Sequence, residues 1–137
     1  MRKVTGKELP ALSYLNSRLL HCEGLLYWRH KEGDDRSTNS WNAKHAGKVA
    51  GGYDFKGYVV VRLDGETFKA HRLIWAMHNN AELDPALDID HIDNDSGNNH
   101  PNNLRAVTPE FNSQRKRNTW GMRGIKAAAT SLRAEHE

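Results

Sequence analysis

Leu9, Leu12, Leu15 and Leu19 recur at three- and four-residue steps, a spacing that predicts a helix over 8–21, with Gly24 placed to end it. Leu25 to Trp28 follows as a short strand. Residues 31–52 are rich in Gly, Ser, Asn, Asp and Lys and read as one long loop. The next unit is sharper. Tyr58 to Leu63 is a β-rich run, Asp64-Gly65 a two-residue hairpin turn, and Glu66 to Ala70 the return strand with Phe68 toward the core. The apolar stretch Leu73 to Met77, flanked by His71 and His78, reads as a buried helix that Asn79 and Asn80 can end. After a Pro-containing loop, Asp88 to Asp93 is a strand, 94–102 a turn-rich loop and Leu104 to Val107 a second strand. Thr108-Pro109-Glu110 then opens a helix that runs through Arg117: Thr is a good N-cap, Pro suits the first helical position, and Glu favours the first turn. The tail, 119–137, lacks a strong apolar stripe.

These elements alternate within 137 residues, enough for one domain with a short arm. Three parts are expected: 1–52 with the helix, strand and basic loop; 53–118 with the hairpin, buried helix and a strand–loop–strand–helix unit at 88–117; and the basic tail 119–137. No apolar run approaches the ~20 residues of a membrane span, and MRKVTGKELP lacks a signal peptide's apolar core. A single cysteine, Cys22, excludes an internal disulfide and any zinc site built on paired cysteines; it reads as a small buried apolar group in a cytoplasmic protein.

Charge changes the picture by its distribution. The net charge is only +3, but 81–100 holds six acids and no Lys or Arg, leaving 20 basic against 11 acidic side chains elsewhere. The basic part suits a polyanion and the acidic part a cation, unless the acidic stretch is simply a solvated loop. It does not fit an EF-hand calcium loop. Starting at Asp88, position five is Ile92; starting at Asp93, position five is Gly97.

Chemistry concentrates between Asp88 and Arg117. Asp90 and His91 are adjacent, Asn103 lies twelve residues after His91, and Asn112 nine residues further on. Carboxylate and amide oxygens are hard ligands suited to Mg²⁺, and histidine is the side chain best poised to take a proton from water near neutral pH. A cation held by Asp90 and Asn112, with His91 activating water, describes metal-assisted phosphodiester hydrolysis. Arg105, Arg115 and Lys116 could hold the phosphate backbone, the last two on the helix face of Asn112. Arg117 and Arg123 extend the basic stretch. Arg72, with His71, is either a bracing group at a helix start or a further phosphate contact. Trp28 is either core or interface, and Trp41 sits in the polar loop, where it could face DNA. One tension is geometric: adjacent strand residues point to opposite faces, so Asp90 and His91 meet one phosphate only if the strand twists or ends there.

The run LDIDHIDNDSGNNHPNNLRAVTPEFNSQRKRN resembles the HNH endonuclease motif, and AHRLIWAMHN with its preceding hairpin is similar to phage-type HNH endonucleases, homing endonucleases among them. The resemblance covers roughly residues 25–118. It implies an α+β chain with a ββα-metal core extended by an N-terminal helix and β-hairpin. It also implies a DNA endonuclease that uses one divalent cation, Mg²⁺ or Mn²⁺, and leaves a 5′-phosphate and a 3′-hydroxyl. The general base falls on His91 and the metal ligands on Asp90 and Asn112. The middle Asn, which braces the loop and helps orient the histidine, falls on Asn103 rather than Asn102 because it directly precedes Leu104-Arg105. Double-stranded DNA is the implied partner of a monomer or weak dimer, in a host cytoplasm if phage-encoded. The chain lacks the paired cysteines of the family's zinc-stapled branch, so no structural zinc is expected. A scaffold that binds DNA without cutting is the alternative reading, and a protein-interaction module a third.

Overall fold

Two-residue turns with both residues in the left-handed region define the hairpins of this chain. In the computed structural model, which describes residues 7–114, Asp64 (φ 50°) and Gly65 (φ 82°) form the expected turn between β4 (Val59–Leu63) and β5 (Glu66–Lys69). Glu23 (φ 51°) and Gly24 (φ 81°) form a second, between β1 (Leu19–Cys22) and β2 (Leu25–Trp28). Positive φ at both central positions matches the right-handed twist of the flanking strands, which is why such turns close tight hairpins.

This first hairpin corrects the helix expected over 8–21. The helix, α1, is only Leu12–Arg18. Leu15 and Leu19 are both buried, but Leu19 is already in a strand paired with Trp28. Their four-residue spacing is met by a helix-to-strand junction, not by a continuous helix. Gly24 therefore shapes a hairpin rather than a helix end. Cys22 is exposed, not buried, because it stands at the rim of β1 beside the turn.

The segment expected as a long loop contains a second helix, α2 (Arg36–His45), none of whose residues is buried. Without an apolar stripe its periodicity is silent. It is held instead by single contacts. The Asn42 side chain accepts from the Lys31 amide (2.8 Å) and donates to the Lys31 carbonyl (3.1 Å), and Trp41 packs edge-on against Trp28. A short strand, β3 (Gly52–Tyr53), adds to the edge of β4, giving a three-stranded sheet in the order β3-β4-β5.

Helix α3 (Ala70–Asn79) sits at the centre. Ala70 to Ile74, Ala76 and Met77 are buried, and Asn80 ends the helix in the left-handed conformation. Both hairpins, α1 and the last strand pair pack around it. The core is continuous from Leu15 and Leu19 through Val61, Phe68, Leu73 and Ile74 to Ile89 and Leu104. Trp28 and Trp75 pack partly buried against it. The last pair is β6 (Asp88–His91), antiparallel to β7 (Leu104–Val107), with a 3₁₀ turn, Pro101–Asn103, just before β7. A helix, α4, begins at Pro109 and is described over 109–114. The Thr108 hydroxyl accepts from the Phe111 amide at 3.2 Å, the N-cap bond its position anticipates. The described residues form a mixed α+β fold with three small sheets. No helix among the described residues is long and apolar enough to cross a membrane.

Candidate active site

Asp90 and His91 reach the same cavity because β6 ends at His91. The Asn94 amide donates to the His91 carbonyl (2.9 Å) and Asn94 takes φ 66°, so the chain turns away immediately after the histidine. A cavity of about 100 Å³ results, lined by Asp90, His91 and Asn112 with Tyr58, Asn94 and Ser96. Asp90, His91 and Asn112, all buried, are thus brought together from two elements.

The His91 ring is fixed by its neighbours. Its Nε2 lies 2.8 Å from the Asn99 side-chain oxygen. An amide oxygen only accepts, so Nε2 donates to it and Nδ1 is the ring nitrogen left for other contacts. On its flanks stand His71 (ring centroids 4.7 Å apart) and Tyr58 (6.1 Å). Burial, with the positive charges of the neighbourhood adding to it, pushes the His71 imidazole down to about 3. His71 is therefore neutral at physiological pH.

Asn103 is fully buried and ties the loop from both ends. Its side-chain amide donates to Asp93 (3.0 Å) and to the Asn98 carbonyl (2.8 Å), and its side-chain oxygen accepts from the Asp93 amide (3.1 Å). Its carbonyl accepts from Ile92 (2.9 Å). The residues that follow His91 and the residue that precedes Asn99 are thereby locked to one side chain. Asn103 does not touch the histidine ring in these contacts; Asn99 does. The sequence reading missed Asn99, one of five asparagines between 94 and 103 with nothing in composition or spacing to distinguish it.

Asn112 donates through Nδ2 to the Asp88 carboxylate at 3.0 Å. That bond sets the amide's orientation and leaves Oδ1 buried with no hydrogen-bond partner. A buried unpaired carbonyl oxygen costs about 1–3 kcal/mol and calls for an explanation. Asn112 lines the cavity that Asp90 also lines, so this donor pair fits a hard cation carrying most of its own water. Among the described residues no group of three His, Cys, Asp or Glu side chains is placed to hold a metal, so such an ion would depend on the Asn112 amide.

Arg105 stands directly opposite Asp90 across the strand pair, and its Nε lies 3.1 Å from the carboxylate. Its guanidinium also covers the Phe111 ring at 5.0 Å, and the side chain is 41% exposed. Arg72, read from sequence as a bracing group or a phosphate contact, makes a bracing hydrogen bond. It is a buried residue of the first turn of α3 and donates through Nη1 to the Leu87 carbonyl at 2.9 Å. It borders a larger cavity of about 500 Å³ that also holds Lys7, Lys56, Lys69, His71 and Asn112. Arg115, Lys116, Arg117 and Arg123 lie outside the described residues.

The hairpin turn of β1 and β2 bears on the same loop. Gly24 is so close to it that a Cβ there would lie 2.6 Å from the His100 amide nitrogen and 2.9 Å from the Asn99 carbonyl carbon. His100 Nε2 is 3.4 Å from the Glu23 carboxylate.

Residues 68–114, about a third of the chain, match the family described as HNH endonuclease, and this segment contains Asp90, His91, Asn103 and Asn112. The fold is similar to a solved structure described as DNA binding and cleavage by the HNH homing endonuclease I-HmuI, with a TM-score of 0.50 and 23% identity. The match covers 80% of this chain and 60% of that one. No curated protein matches the chain significantly.

Proposed function

We propose that this chain, whose residues 68–114 are an HNH endonuclease segment, hydrolyses phosphodiester bonds of double-stranded DNA with the help of one divalent cation. The observation that carries the reading is the cavity shared by Asp90, His91 and Asn112, together with a buried Asn112 Oδ1 that lacks a hydrogen-bond partner.

His91 is the general base: with Nε2 committed to Asn99, Nδ1 takes the proton from the attacking water. Asn99 and the neutral His71 and Tyr58 rings hold the imidazole in place. Asp90 and Asn112 Oδ1 are the residues that would hold Mg²⁺ or Mn²⁺. When bound, such a cation supplies Lewis-acid polarisation of the phosphate and neutralises charge on the leaving oxygen. Arg105, half-exposed beside Asp90, neutralises a phosphate oxygen, and Arg115, Lys116, Arg117 and Arg123, which follow in the sequence, are further candidates for phosphate contact. Asn103 acts as a positioning residue by closing the loop. One such site cuts one strand, so a monomer nicks.

Supercoiled plasmid incubated with Mg²⁺ at neutral pH, beside an EDTA control and His91→Ala, tests this. Open circles that require both metal and His91 are expected. DNA binding without any cutting, with Mg²⁺ or Mn²⁺, would leave a binding protein on a nuclease scaffold.

A further inference from the structure

A groove of about 1100 Å³ shares no lining residue with the catalytic cavity. It runs along the β1–β2 hairpin and the segment that leads to α2. Arg18, Arg29, His30 and Lys31 line it against one acid, Glu32. Among the described residues neither Arg29 nor Lys31 has an ion-pair partner.

Two of the cations rest on aromatic rings, Lys31 and Arg18, the latter also 3.9 Å from the Asp64 carboxylate, while Arg29 donates to the Leu19 carbonyl at 3.0 Å. The Arg18 guanidinium lies 5.5 Å from the Trp28 centroid and 5.5 Å from that of Trp41, and its Nε is buried without a hydrogen-bond partner. The Lys31 ammonium lies 4.3 Å over Trp41. For Lys31 such stacking orders the cation while leaving its charge without a carboxylate partner among the described residues, which suits a site for a polyanion. The backbone is ordered as well, because Asn42 clamps Lys31 by both its amide and its carbonyl. Helix α2 buries nothing in the core and supplies Trp41 and Asn42 to this arrangement.

The groove adjoins the turn that packs on the catalytic loop. Leu20 and Cys22 of β1 line it, and the turn after Cys22 presses on Asn99 and His100. A strand of phosphates lying along the hairpin would therefore keep a fixed offset from His91.

We propose that this groove binds the sugar-phosphate backbone of duplex DNA outside the cut site, so that the hairpin and α2 form a second anchor for the substrate. The choice of DNA rests on the nuclease reading above. The alternative is that the stacked cations merely fasten α2 to the hairpin.

The test uses the full chain and a 30-base-pair duplex in EDTA, with affinity measured by fluorescence anisotropy over a range of salt. Arg29→Ala combined with Lys31→Ala should weaken binding roughly tenfold and lower the salt slope by about two, near 0.9 per lost phosphate contact. A thermal melt checks that the variant folds. Cys22, the single cysteine, reports without any substitution: bound duplex should slow its reaction with a neutral maleimide several-fold. An unchanged slope together with unprotected Cys22 would overturn the proposal. Plasmid cutting by the wild type is scored separately. Cutting with an unchanged slope rejects the groove and keeps the nuclease. A groove-dependent slope without cutting keeps the groove and rejects the nuclease.

Discussion

Replacing Gly24 by alanine tests whether the N-terminal hairpin sets the geometry of the catalytic loop. Two costs are expected. The first is conformational: φ is +81°, and an L-residue in the left-handed region loses roughly 1–2 kcal/mol. The second is steric. The new Cβ would lie 2.6 Å from the His100 nitrogen and 2.8 Å from its Cα, against 3.4 Å or more for ordinary contact. These are backbone atoms of a braced loop, so relief requires the loop to move by several tenths of an ångström, at roughly 1–3 kcal/mol for overpacking. The sum is about 2–5 kcal/mol. Gly47 separates the two costs, since it has the same φ of +81° and a Cβ there would meet nothing within 4 Å. Gly47→Ala should carry only the conformational part. Urea unfolding of both variants gives the difference, and plasmid cleavage should fall in Gly24→Ala well beyond Gly47→Ala, because Asn99 moves with His100. Equal stabilities and equal activities would refute the coupling between turn and loop.

Three further outcomes follow from the site. Asn99→Ala should lower kcat for cleavage roughly 10²-fold with little change in DNA affinity, since the base loses its orienting acceptor; an unchanged kcat would remove Asn99 from the mechanism. Asn112→Ala should raise the Mg²⁺ concentration for half-maximal cleavage by about an order of magnitude, read from a metal titration, and an unshifted curve would exclude its oxygen as a ligand. His71 is neutral when folded, with its pKa down at about 3 against 6.5 when unfolded, so below pH 6.5 the unfolded chain binds a proton that the folded chain refuses. Its contribution is fully present above 6.5 and is lost as pH falls toward 3, at up to about 1.4 kcal/mol per unit. His71→Phe should flatten that part of the urea-stability profile, and an identical pH dependence would contradict it.

What the sequence discloses depends on whether a contact is local. Asp64-Gly65 carries its own turn chemistry and reads directly, as do the Thr108 cap and the apolar run of α3. Glu23-Gly24 is the same kind of turn, but the leucine spacing from Leu9 to Leu19 competes with it, because Leu15 and Leu19 are buried under either reading. Helix α2 carries no apolar stripe, so only the fold, through Asn42 and Trp41, specifies it. The spacing of Asp90, His91 and Asn112 belongs to a recognisable motif, and the structure gathers these side chains on one cavity. The burial of Arg72 and the selection of Asn99 depend on elements tens of residues away, and no local pattern encodes them.

The pairing of Arg105 with Asp90 makes one carboxylate answerable to two cations. On the proposed reading, a divalent ion at Asp90 would compete with the guanidinium, and a phosphate that attracts the guanidinium would relieve that competition. Linkage makes the effect reciprocal: the factor by which substrate tightens the metal is the factor by which metal tightens the substrate. Loading of cofactor and capture of substrate are then one cooperative event, and neither alone assembles the full charge of the site.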